Sequence, residues 1–92
     1  MTYQLLYSEQ AARELSKLDK GIARLIVAWL RKNVRDCENP RIHGKALGHN
    51  LSGLWRYRIG DYRVICEIRD NELVVLALSV GHRREIYKRL NR

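Results

Sequence analysis

The stretch LWRYRIGDYRVICEI, Leu54 to Ile68, constrains this chain more than any other. Two strand-like runs flank Gly60-Asp61, a pair suited to a two-residue hairpin turn because glycine takes the positive φ that such turns need. With these two as the turn, Ile59 faces Tyr62, Arg58 faces Arg63 and Arg56 faces Ile65. Opposed residues share a sheet face, so Trp55, Tyr57, Ile59, Tyr62, Val64, Cys66 and Ile68 make one apolar surface. Arg56, Arg58 and Arg63 gather on the other.

An apolar sheet face needs a cover, and the preceding sequence supplies it. YQLLY, Tyr3 to Tyr7, is rich in strand formers and ends at Ser8, a good N-cap. Ala11, Leu15 and Leu18 then recur at helical spacing, with Ala12 beside them and Arg13, Glu14, Ser16 and Lys17 left for solvent. Asp19 can cap a longer helix, whose stripe of Ile22, Leu25, Ile26, Trp29, Leu30 and Val34 folds back on the same surface and stops before Pro40. NPRIHGKALGHNLSG, Asn39 to Gly53, has three glycines, a proline and little periodicity, and reads as a loop.

After the hairpin, Asp70 and Asn71 can turn the chain into LVVLALSV, apolar on both faces and therefore an interior strand. A two-residue turn there sends Val74, Leu76 and Leu78 to the arginine side. Something apolar must shield them, either a partner or a short helix in RREIYKRLNR, where Ile86 and Leu90 stand at i,i+4. The order β-α-α-β-β-β-α predicts an α+β fold. Two N-terminal helices pack on one face of a largely antiparallel four-stranded sheet, and a short C-terminal helix follows. Ninety-two residues suffice for one domain spanning 1–92.

Eighteen Lys and Arg against ten Asp and Glu give a net charge of +8. The excess is no tail, since residues 1–53 and 54–92 each carry nine basic and five acidic side chains. Such a balance suits a polyanionic partner, because lysine and arginine release counterions from phosphates. Cys37 and Cys66 show neither a CxxC spacing nor a nearby histidine pair, so they read as buried free thiols. With no leader-like start and no long apolar run, a cytoplasmic protein is expected.

Like charges directly opposite on neighbouring strands cost roughly 0.2–1 kcal/mol per pair. Three arginines in register are therefore better explained by a phosphate among them, whose oxygens match the fixed forks of guanidinium donors. Arg83 and Tyr87, in SVGHRREIYKRL, follow a strand whose end should lie near Tyr62 and Arg63, so both can approach the same patch. Arginine neutralises charge on a pentavalent phosphate; a tyrosine hydroxyl can orient a hydroxyl, act as a base or stack on a nucleobase. The acids are few and scattered, with no metal-binding spacing, and no cofactor is expected. Metal-free cleavage is open to RNA, whose 2′-hydroxyl is a built-in nucleophile, and not to DNA.

HGKALGHNLSGLWRYRIGDYRVICEI followed by LSVGHRREIYKRL closely resembles the RelE toxins of bacterial toxin-antitoxin pairs, within the RelE/ParE superfamily, over essentially the whole chain. That resemblance implies a single RelE-like domain with endoribonuclease activity. Such a toxin enters the ribosomal A site, cuts the exposed mRNA codon and is held inactive by a RelB-like antitoxin. By motif position Arg56 and Arg58 fall where RelE toxins place basic residues of the active site, and Arg63, Arg83 and Tyr87 match their sheet arginine, the arginine after the last strand and the C-terminal tyrosine. Arg58, Arg63, Arg83 and Tyr87 are the expected catalytic residues, and Arg56, Lys45, Arg84 and Lys88 are expected to bind RNA. RelE itself carries lysines at the positions of Arg56 and Arg58, and arginine cannot accept a proton as a lysine can. Tyr87 is therefore the first candidate base, with His82 as the acid/base alternative; His43 and His49 receive no role. Two other readings stand beside this one: a ParE-like poison of DNA gyrase, and a non-catalytic module that binds RNA or the ribosome.

Overall fold

The computed structural model describes residues 1–90. In chain order they form β1 (Gln4–Tyr7), α1 (Glu9–Lys17), α2 (Lys20–Asn33), β2 (Lys45–Ala46), a 3-10 turn (His49–Leu51), β3 (Trp55–Ile59), β4 (Tyr62–Arg69), a second 3-10 turn (Asp70–Glu72), β5 (Val74–His82) and α3 (Ile86–Leu90). The sheet order is β1-β5-β4-β3-β2, with β1 parallel to β5 and the other pairs antiparallel. The expected α+β class is observed, with five strands where four were expected. The extra one, β2, lies inside the segment read as a loop, and two residues are too few to print an alternation.

Both N-terminal helices start where the capping residues stand. Ser8 Oγ accepts from Ala11 N at 3.0 Å, and an Asp19 carboxylate oxygen accepts from Gly21 N and Ile22 N at 3.0 and 3.3 Å. Each such cap stabilises its helix by about 1 kcal/mol. Ile26, Leu30 and Val34 repeat every four residues along the buried side of α2. Leu25 lies about 100° round the helix from Ile26 and is 61% exposed, outside the stripe that the sequence suggested for it.

The helix-side core joins these residues to Ala11 of α1 and to Tyr57, Ile59, Val64, Cys66, Val75, Ala77 and Val80 of the sheet. Cys66 is fully buried, and burial pushes its thiol up to about 12; Cys37 is only half-buried. Because β1 covers just the first half of β5, the remaining strand edge needs another partner. Ser8 Oγ donates to Leu78 O, and beyond it the Glu14 carboxylate accepts from Ser79 Oγ and Val80 N, both at 2.9 Å. Glu14, expected on the solvent side, thus helps α1 close an open edge.

The β3–β4 hairpin has the expected register, with Ile59 opposite Tyr62, Arg58 opposite Arg63 and Arg56 opposite Ile65. Gly60 turns at φ +59°, as a glycine-first hairpin turn requires. The next connection differs from expectation: a 3-10 turn leads through Leu73, at φ +53°, and sets Arg69 opposite Val74. Val74 and Leu76 still share the face of Arg69 and Glu67. Between Ile65–Ser79 and Cys66–Ala77 the pairing shifts by one residue, leaving Leu78 as a bulge. Past it Val80 opposes Val64, Gly81 opposes Arg63 and His82 opposes Tyr62. α3 packs on β5 with Ile86 fully buried. Among the described residues, no helix is long and apolar enough to cross a membrane.

One cluster at the edge of the core ties three distant segments. Arg41 donates both terminal nitrogens to the Asp70 carboxylate at 3.0 Å, and Tyr3 Oη donates to the same group at 2.6 Å. The Arg41 bonds, followed by that of Tyr3, hold the Asp70 carboxyl down at about 2. A carboxylate lowered from its unfolded value of about 3.9 contributes stability above that value and loses it as pH falls through the folded one. Asp70→Asn should therefore lower Tm at neutral pH, with its difference from wild type closing between about pH 4 and pH 2. Equal melting curves at pH 7 would remove the cluster from the stability of the fold.

Candidate functional site

The hairpin register brings the arginines together, and burial distinguishes their roles. Arg63 is 8% exposed. Its terminal nitrogen Nη1 donates to Gly60 O at 2.9 Å and Tyr62 O at 3.0 Å, so carbonyls of the hairpin turn hold the guanidinium in place. Opposite it stands Gly81, which adds no side chain beside it. Burial, then the neighbouring guanidiniums of Arg56 and Arg58, press Arg63 below its ordinary value; Tyr87 acts in the opposite sense, and Arg83 adds to the lowering. Arg56, Arg58, Arg83 and Tyr87 thus all act electrostatically on Arg63. Among the described residues, Arg56, Arg58 and Arg63 form no ion pair with a carboxylate.

Two buried polar atoms of these residues, Arg56 Nε and Tyr87 Oη, have no hydrogen-bond partner among the described residues. A buried donor left unpaired costs about 1–3 kcal/mol, so the pair marks a place where an incoming acceptor is favoured. Arg58 and Arg83 keep exposed side chains. Arg83 is anchored at its backbone, where its N–H donates to Asp61 O at 2.8 Å, and its Nε lies 3.6 Å from the exposed Asp61 carboxylate. The connection after β5 is thereby pinned to the hairpin turn, and this brings Arg83 back to the cluster.

The other expected residues separate by position. Lys45 opposes Arg56 across β2–β3 and shares its face, extending the positive surface to the sheet edge. Gly44 permits this close approach: at φ +88°, a Cβ there would lie 2.3 Å from Arg56 O. Arg84 and Lys88 are exposed on the turn before α3 and on α3 itself. The Arg89 side chain and Arg92, part of the basic tail, lie outside the described residues. His82 is not brought to the cluster. It opposes Tyr62, and their rings meet edge-on at 5.5 Å on the side that α1 covers.

His43, given no role from sequence, lines a cleft of about 250 Å³ with Trp29, Lys45, Arg56 and Arg58. Its ring meets Trp29 edge-on at 5.5 Å, and its carbonyl accepts from Trp55 Nε1 at 2.8 Å. A loop without periodicity carries no mark of such a placement. The one signal that could have found it is Gly44, whose lack of a side chain lets the loop touch β3.

The family described as "ParE toxin of type II toxin-antitoxin system, parDE" matches residues 5–87. The chain belongs to the RelE/ParE family of type II toxins. It is 33% identical to "Toxin RelG" of Mycobacterium tuberculosis over 89 residues, which is 97% of this chain and all of that protein. "Toxin RelE" of the same organism is 33% identical over 86 residues, covering 94% of this chain and 87% of that one. Among solved structures, the toxin in the RelBE2 toxin-antitoxin complex of M. tuberculosis superposes with a TM-score of 0.76 at 29% identity, covering 89% of this chain and 99% of the other. The toxin of the intact Escherichia coli RelBE complex gives 0.70 at 26% identity, covering 88% and 96%.

Three guanidiniums, Arg56, Arg58 and Arg63, that pair with no carboxylate among the described residues should bind an oxyanion, and a ligand of the folded state raises Tm by mass action. Inorganic phosphate is expected to raise the Tm of this toxin progressively with concentration, more than chloride at equal ionic strength. Arg56→Ala should take away most of the difference. Identical curves in the two salts would contradict an anion site.

Proposed function

We propose that this RelE/ParE-family toxin is a metal-independent endoribonuclease that cuts mRNA in the ribosomal A site and so inhibits translation. The observation that carries this reading is the hairpin register that gathers Arg56, Arg58 and Arg63 on one face, with Arg83 pinned to the hairpin turn and with Arg56 Nε and Tyr87 Oη buried and without a partner among the described residues. In the proposed reaction the 2′-hydroxyl of one nucleotide attacks the adjacent phosphorus as the bond to the 5′ oxygen breaks. A cyclic phosphate and a 5′-hydroxyl are left.

Each residue has a part suited to its setting. Arg63, fixed by the turn carbonyls, holds a non-bridging phosphate oxygen, and Arg56 and Arg58 take up the charge that grows on the pentavalent phosphorus. Arg83 stands for the departing 5′ oxygen, which takes its proton from water. Tyr87 Oη orients the 2′-hydroxyl and, starting as the phenolate, takes its proton to become the phenol, a role arginine cannot fill. Lys45, Arg84 and Lys88 contact flanking RNA phosphates. Control by an antitoxin is supported by solved relatives that are toxin-antitoxin complexes, and restriction to the ribosome is the part of the reading that rests on the resemblance to RelE toxins alone. A net charge of +8 suits both an acidic antitoxin and rRNA.

The name of the matching family favours a second reading, a ParE-like poison of DNA gyrase. Primer extension on ribosome-bound mRNA separates the two. New 5′ ends within the A-site codon, with the same naked RNA left largely intact, are expected; gyrase-linked DNA breaks without mRNA cuts would support the second reading instead. Arg83→Ala should slow single-turnover cleavage about 100-fold or more, and Tyr87→Phe should do so about 100-fold. An unchanged rate would remove the residue concerned from the site.

A further inference from the structure

The turn joining β5 to α3 carries Arg83 and leads into Tyr87, and its three successive backbone donors are all engaged. Arg83 N donates to Asp61 O at 2.8 Å, Arg84 N to His82 Nδ1 at 3.1 Å and Glu85 N to His82 O at 2.9 Å. His82 supplies two of these three acceptors, one of them from its side chain. The ring is steadied by the edge-on contact with Tyr62 and lies in a cleft of about 540 Å³ on the α1 side of the sheet. Arg63 belongs to the opposite face. A histidine next to the site in sequence therefore lies behind it.

We propose that His82 is a positioning residue for the arginine cluster: its neutral imidazole, accepting from Arg84 N–H, fixes the turn that places Arg83 and Tyr87, and protonation of the ring releases that turn. The inference rests on reading the cluster as the RNA-cleaving site. Nδ1 can accept only in the neutral tautomer whose proton sits on Nε2; in imidazolium both nitrogens donate, and Nδ1–H would face Arg84 N–H. The cleft gives the ring charged neighbours of both signs. Arg13 and Lys17 of α1 oppose a charge on it, while Glu14 of α1 and Glu85 of the turn favour one, the Glu14 carboxylate being engaged by Ser79 and Val80. Tyr62 of β4 is the remaining titratable group there. Asparagine commonly accepts from the backbone N–H two residues on, so it can supply the same bond without titrating.

The full-length toxin tests this in two ways. In amide NMR spectra between about pH 8 and pH 5.5, across the range in which histidines commonly titrate, the Arg84 amide should shift together with the His82 imidazole. In single-turnover cleavage on programmed ribosomes, His82→Asn should match wild type at pH 8, whereas His82→Leu falls about 10- to 100-fold. As pH is lowered, the wild-type rate should drop relative to that of His82→Asn, a ratio in which any titration common to both cancels. An Arg84 amide that ignores imidazole protonation, or His82→Leu cutting as fast as wild type throughout, overturns the inference. Should wild type cut no mRNA at all, the cleavage reading fails and the Arg84 amide alone decides the His82 contact.

Discussion

The register of one hairpin governs this molecule. Gly60 and Asp61 fix the pairing of β3 with β4, and that pairing sets Arg58 directly opposite Arg63 with Arg56 on the same face. The alternation that buries Tyr57, Ile59, Val64 and Cys66 under the helices forces the arginines outward together. Core formation and charge concentration are thus one event. The sheet cannot relieve the repulsion by slipping a residue, because that would bring the arginines into the core.

The rest of the fold steadies this arrangement from its edges. Glu14 closes the part of β5 that β1 leaves open, and β5 in turn carries Gly81 to Arg63. On the far side, Gly44 lets β2 approach β3 and aligns Lys45 with Arg56. Asp61 then receives the Arg83 amide, so the hairpin turn holds both the buried arginine and the exposed one. Rigid placement of like charges is stable only while solvent or an anion compensates them, which accounts for a site that is half-buried and half-open.

The sequence disclosed what depends on period and on turn chemistry. Alternation around Gly60-Asp61 revealed the register, and Ser8 and Asp19 marked the two helix starts. Contacts that depend on how elements come together left no such trace. The Arg41–Asp70–Tyr3 cluster joins residues far apart in the chain, the fifth strand is too short to alternate, and Glu14 faces the sheet edge from a position that looks polar. The Leu78 bulge matters most for function. Uninterrupted alternation from Val74 and Leu76 would carry His82 to the arginine face, and the one-residue shift moves it beside Tyr62 instead. Kinship with RelE-named toxins supplied the family, and the geometry decided which nearby residues converge.

The central claim is that one RNA phosphate sits among these guanidiniums with its 2′-hydroxyl beside Tyr87. The structure of the toxin on a ribosome programmed with mRNA blocked by 2′-O-methylation at the A-site codon tests it most directly. A backbone phosphate within hydrogen-bond distance of Arg63 and Arg56, with the methylated 2′ oxygen against Tyr87 Oη, is the expected result. RNA running over another face, with the arginine cluster empty, would contradict it.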